Sequence, residues 1–93
     1  MYQPKPLDTT AVQLPEQLEG LLENLAQNTH EVWAEQRLKD GWRYGEDRND
    51  QERLHPCLVP YDELPEEEKE YDRNTAREVL KAILAAGFTI ERR

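Results

Sequence analysis

Trp33 and Arg37 stand four residues apart in HEVWAEQRLKDGWRYG, the stretch from His30 to Gly45 that holds both tryptophans of the chain. Side chains four apart on a helix touch. An indole can stack on a planar group while the neighbouring guanidinium pairs with a phosphate or carboxylate, so this pair can clamp a planar anion. The same spacing equally describes a half-buried tryptophan covered by the stem of an arginine. Trp42, directly after Gly41, reads as an apolar contact that closes a helix end. Tyr44 and Tyr61 either line the face of Trp33 or simply pack.

Other chemistry finds thinner support. His30, His55 and Cys57 are three possible metal donors, but no CxxC or HExxH spacing joins them. The acidic run Asp47 to Glu52 lacks the ligand order and central glycine of a calcium loop. Cys57 with His55 or His30 is the best nucleophile available. His55 and Cys57 are two apart and would share a face in a strand. A lone cysteine in an apolar stretch, however, is usually packing. Glu66, Glu67, Glu68 and Glu70 read as a solvated helix face. There is no glycine-rich phosphate loop of either common pattern. No enzymatic activity, cofactor or metal is therefore expected.

The elements that must position these residues follow from the rest of the chain. Its 93 residues suggest one domain. A formal charge of −8 argues against nucleic acid and against an anionic membrane surface, both of which need clustered Lys and Arg. One cysteine allows no internal disulfide, which fits a reducing compartment and predicts a cytoplasmic protein. The opening MYQPKPLDTT has no apolar signal core, and no run of about 18 apolar residues exists. With no linker or tag at either end, a complete small protein or a closely trimmed domain is expected.

Pro4 and Pro6 make residues 1–13 an extended arm. Leu14, Leu18, Leu21, Leu22, Leu25, Ala26, Val32 and Trp33 recur at helical spacing and predict one long helix over 15–40. Pro15 suits its first turn, Gly41 its C-terminal stop, and Asn28–Thr29 a bend. His30 falls to the side of the apolar stripe. Residues 43–55 read as a loop, and HPCLVPY as an extended segment pinned to the core. DELPEEEKEY predicts a short helix. A second amphipathic helix follows, with Thr75 and Glu78 at capping-box spacing and Asp72 as a competing cap. Gly87 ends it, and Phe88 and Ile90 are expected to fold back onto the core, with a short terminal strand as one form of that return. The fold class is mainly α, built on two packed amphipathic helices.

Taken together, the motifs point to a family. They are Y-x-P-x-P-x-D-T from Tyr2, L-x-x-L-x-E-x-x-A-x-N-x-H-x-x-W-A from Leu18, then GW-x-YG, HPCLVPYDEL, EK-x-YDRNTA and a closing AAGF-x-I. The chain resembles the ryanodine receptor repeat (RyR) domain from about Tyr2 to Ile90. The resemblance implies a single stand-alone repeat of prokaryotic type over 1–93, with its core at about 14–91. It also implies that Trp33 and Arg37 contribute to an adenine-nucleotide pocket, approached by the HPCLVPY loop and Asp72. His55, Cys57 and Asp72 occupy positions where pocket residues vary, and Asp72 would repel phosphate unless paired with Arg73.

Two functions are expected from this reading. The first is a non-catalytic binding or regulatory module for a nucleotide or similar planar anion, held by Trp33, Arg37, His55, Tyr61, Asp72 and Arg73. The second is an interaction domain that forms a symmetric homodimer or binds a partner protein, with the proline-bearing arm crossing over.

Overall fold

The computed structural model describes residues 1–93. Pro15 opens the helical region as the cap residue of a single turn, α1 (Glu16–Glu19). Gly20 and Leu21 interrupt the helix before it resumes as α2 (Leu22–Lys39). The break lies at the glycine, the poorest helix former after proline, rather than at Asn28–Thr29. There the helix runs on, and the Thr29 hydroxyl donates to the Leu25 carbonyl at 2.9 Å. At the other end Gly41 adopts φ +90°. Trp42 N–H donates to Arg37 O at 3.0 Å and Gly41 N–H to Leu38 O at 3.1 Å. This paired closure is the Schellman stop expected of that glycine.

The segment read as a loop contains two short strands. β1 (Arg43–Tyr44) pairs in parallel with β2 (Leu54–His55), with Arg43 opposite Leu54 and Tyr44 opposite His55. The approach at Gly45 is close. A Cβ there would lie 2.7 Å from the Leu54 Cβ, so only glycine fits without a shift. A 3-10 turn, Tyr61–Glu63, then leads to α3 (Glu66–Ala85).

α3 is one helix of 20 residues, where the sequence predicts a short helix and a separate capped one. No side chain caps its start, and Asp72 and Thr75 lie inside it. Three glutamates in the first turn complement the positive helix end. Arg73 bridges Glu66 and Glu70 on the same helix, both at 3.1 Å, across the junction where a break was expected.

The two long helices pack antiparallel, each through a row of every fourth residue. On α1 and α2 the row is Leu18, Leu22, Ala26 and His30, all buried, with Ala26 fully enclosed. His30 thus extends the apolar row, and Leu21 and Val32, counted in the stripe, are exposed. Leu14, Leu18, Leu22 and Ala76 form one core cluster, with Leu25, Leu80, Leu84 and Ile90 against it. Ala26, Tyr61 and Leu64 form a second, flanked by Cys57 and Val59.

The tail after Gly87 forms no strand. Ile90 packs on the first cluster, but Phe88 stays exposed. The arm is extended and largely exposed, fixed where buried Thr9 donates to Glu78 Oε1 at 2.7 Å. The fold is mainly α, as expected, but open. Its accessible surface is 7672 Å², against roughly 5600 Å² for a compact protein of this mass. Its radius of gyration is 15.9 Å, against about 12 Å for a compact chain. No helix is long and apolar enough to cross a membrane.

Candidate functional site

A cavity of about 240 Å³ opens where α2, the segment after β2 and the first turns of α3 meet. His30 and Trp33 line it from α2, and His55 and Cys57 from β2 and the loop that follows. Leu64, Glu68 and Asp72 close it from α3 and its approach. Glu68 and Asp72 continue to Ala76 as the every-fourth-residue row of α3, and extended Leu64 precedes the helix. The row therefore enters the cavity as carboxylates between two buried apolar residues.

The aromatic wall is built in layers. The edge of Trp33 meets His55 at 4.9 Å between ring centroids, with planes at 74°. His55 lies in turn 6.2 Å from Trp42. The Schellman stop puts Trp42 in this place, and the short parallel strand pair holds His55 beneath it. The Arg37 guanidinium lies over Trp42 at 4.7 Å and over Trp33 at 5.7 Å. Arg37 and Trp33 do touch, as their spacing predicts. Yet Arg37 belongs to the outside of the wall and does not line the cavity.

Both histidines have a readable proton. His30 Nε2 is 2.7 Å from the Val59 carbonyl. A carbonyl only accepts, so Nε2 carries a hydrogen and donates it. In His55 the order is reversed. Its Nδ1 accepts the Cys57 N–H at 3.0 Å, which leaves Nε2–H as a donor. Burial, then the Arg48 and Arg37 charges, depress the His55 pKa and keep the ring neutral at pH 7. Burial pushes the Cys57 thiol up, aided by the Glu68 and Asp72 charges. Burial raises the Asp72 pKa above its ordinary value, against the opposing His30 charge and aided by Glu68. With a protonated thiol and a histidine nitrogen already engaged by its backbone, Cys57 is not set up as an activated nucleophile. No group of three or more His, Cys, Asp or Glu side chains is arranged to hold a metal ion.

Two expected ligand residues lie elsewhere. Tyr61 is buried, and its hydroxyl donates to Glu23 Oε1 at 2.8 Å. Burial, then the bond to Glu23, push its pKa up to about 12. The ring stands 6.1 Å from His30, behind the wall. Arg73 points to the same carboxylate, contacting Glu23 at 2.7 Å together with Glu66 and Glu70. It makes no ion pair with Asp72, its neighbour in sequence. Of the expected set, Trp33, His55 and Asp72 come together at the cavity, Arg37 lies over the tryptophans on the outside of the aromatic wall, and Tyr61 and Arg73 serve as packing and clamp. His30, Leu64 and Glu68 complete the wall. Glu68 joins Asp72 on one face only because 66–76 forms a single uninterrupted helix.

The RyR domain family model matches residues 2–92, nearly the whole chain. The chain belongs to the RyR domain family, which sets it among regulatory or interaction modules.

Proposed function

We propose that this RyR-domain chain is a non-catalytic regulatory module that senses a small planar ligand in the cavity beside Trp33. The observation that carries this reading is the cavity itself: an indole wall, two imidazoles and two carboxylates converge from three segments on one concave space. At about 240 Å³ it is smaller than the usual pocket for a drug-sized ligand. It suits one ring or one side-chain-sized group. A nucleotide or similar planar anion fits when its ring enters beside Trp33 and its charged part meets Arg37 outside the aromatic wall. A single free cysteine supports work in the reducing cytoplasm.

The test is a melting-temperature titration against mono-, di- and cyclic nucleotides, with Trp33→Phe and Arg37→Ala beside the parent. Ligand at ~100 times Kd adds about 2.7 kcal/mol of stability. A ligand-specific rise that Trp33→Phe weakens supports the reading. Its loss in Arg37→Ala, with the free protein still folded, supports an anionic group at Arg37.

A second reading is favoured by the open surface. The accessible area exceeds the compact expectation by roughly 2000 Å², more than the about 800 Å² that each partner buries in a standard interface. An apolar face of Val79, Ile83 and Phe88 lies exposed on α3 and the tail, near the point where Thr9 fixes the arm. A homodimer or partner protein covering that face would make the chain an assembly domain. Light scattering at rising concentration tests it, and a strict monomer in which Ile83→Glu changes nothing counts against the homodimer.

A further inference from the structure

The cavity wall carries a polarity that departs from the planar anion considered above, and this inference rests only on the reading of the cavity as the ligand site. From the geometry we infer that the group entering the cavity is a planar cation rich in N–H donors, of the amidinium or guanidinium class.

The wall is rich in acceptors. Glu68 and Asp72 stand one turn apart on α3 and supply four carboxylate oxygens. No salt bridge or hydrogen bond within the chain engages either side chain; the guanidinium next in sequence is drawn instead to Glu23, Glu66 and Glu70. His30 adds a further acceptor when its ring is neutral. Its exposure is only 4%, its Nε2–H is spent on Val59, and its Nδ1 has no partner in the chain. No buried polar side-chain atom is sealed away without a hydrogen bond, so that nitrogen opens onto accessible space, and His30 lines the cavity. Against these acceptors stand few donors: His55 Nε2–H, the indole N–H of Trp33 and the weak Cys57 thiol, with the His30 ring the one group whose charge offsets Asp72. No lysine or arginine lines the space. Arg37, the nearest cation of the aromatic wall, is held over the faces of Trp33 and Trp42.

An anion placed here meets two carboxylates that no lysine or arginine in the wall offsets. A guanidinium or amidinium meets them with forked N–H pairs, the geometry in which carboxylates bind it best. Its flat face stacks on an indole, where a cation is attracted by the ring electrons. A compact ammonium offers three donors on a tetrahedral centre and no face to stack, so it fits less well. The small volume admits such a head group and little more.

The probes are benzamidinium, its neutral isostere benzamide and its anionic isostere benzoate, titrated by calorimetry and thermal shift at physiological salt. Agmatine and a blocked Gly-Arg-Gly peptide separate a free guanidinium from an arginine side chain presented on a chain. The expected result is binding of benzamidinium, with agmatine or the peptide following, and none of benzamide or benzoate. Asp72→Asn and Glu68→Gln should each weaken that binding about tenfold or more, since each removes a charge-assisted contact. Asp62→Asn, an exposed carboxylate outside the cavity, should leave it unchanged and so excludes a general effect of the −8 charge. Binding that falls equally in all three variants would overturn the inference. So would preference for benzamide, benzoate or the nucleotides, although the cavity would then stand as a ligand site with the opposite polarity. Silence from every probe and every nucleotide would remove the ligand reading altogether.

Discussion

The two ends of the α2–α3 pair are made by the same rule and filled with opposite chemistry. At one end the every-fourth-residue rows bring Leu18 and Leu22 against Ala76, with Leu80, Leu84 and Ile90 closing the space. At the other end the same rows bring His30 against Asp72 and Glu68, and the space stays open. Apolar rows close because leucine and alanine lose nothing by leaving water. The polar end cannot close in that way, because carboxylates pressed together without a counter-charge would lose their hydration. The leucine end holds the helices together, and the polar end stays apart around the cavity.

Breaking the closed end should have the largest effect. Leu22→Ala removes a buried side chain from the first cluster and should cost about 2–5 kcal/mol. In a domain of this size that lowers Tm by more than about 10 °C, read by circular dichroism. Next comes Ala26→Leu, at the fully enclosed step between the two ends. Overpacking there should cost about 1–3 kcal/mol, with the helix content retained at low temperature. Gly45→Ala sharpens the comparison from outside the helices. Its Cβ meets Leu54 at 2.7 Å, so the strand pair and His55 must shift. A loss of about 1 kcal/mol or more is expected, together with a disturbed His55 resonance in NMR, while the leucine end keeps its amide protection.

At the open end the sign reverses. Asp72→Asn should leave Tm unchanged or raise it slightly, because burial disfavours the charge that the substitution removes. The pH dependence follows the same direction. The Asp72 pKa is raised in the fold above its unfolded value of 3.8. The folded state therefore holds the proton more tightly. This contribution to stability is gained as pH falls through the raised value and lost as pH rises above it. Comparing Tm of the parent and Asp72→Asn between pH 4 and 7 checks this. The parent should lose ground to the variant as pH rises, and parallel curves would refute the assignment.

The sequence makes the closed end easy to read, and the open end hard. Leucines at three- and four-residue spacing predict α2, and Gly41 predicts its stop, because both depend on neighbours in sequence. The break at Gly20 was legible from its low helix propensity, yet the weak helix formers Asn28 and Thr29 drew attention away from it. The continuity of α3 was not legible. Tyr71, Asp72, Arg73 and Asn74 look like a junction, and the Arg73 clamp that carries the helix through them involves Glu23, 50 residues away. The cavity suffered from the same gap. With α3 divided, Glu68 belonged to a solvated face and Asp72 to a cap, and nothing placed them in one row. His30 looked peripheral because its burial depends on the Val59 carbonyl, which a helical wheel does not contain.

The layered wall of rings has an optical consequence. Trp33 and Trp42, the only indoles, both lie within 6.2 Å of His55, ring centre to ring centre. A protonated imidazole quenches indole emission by accepting an electron from the excited ring, whereas a neutral imidazole quenches weakly. The native protein should therefore glow more brightly as pH rises through the depressed pKa of His55. Trp42 faces His55 alone, whereas Trp33 also stands 5.7 Å from the His30 ring, so the Trp42 emission, isolated in Trp33→Phe, reports the charge of one ring at the edge of the cavity without any attached dye.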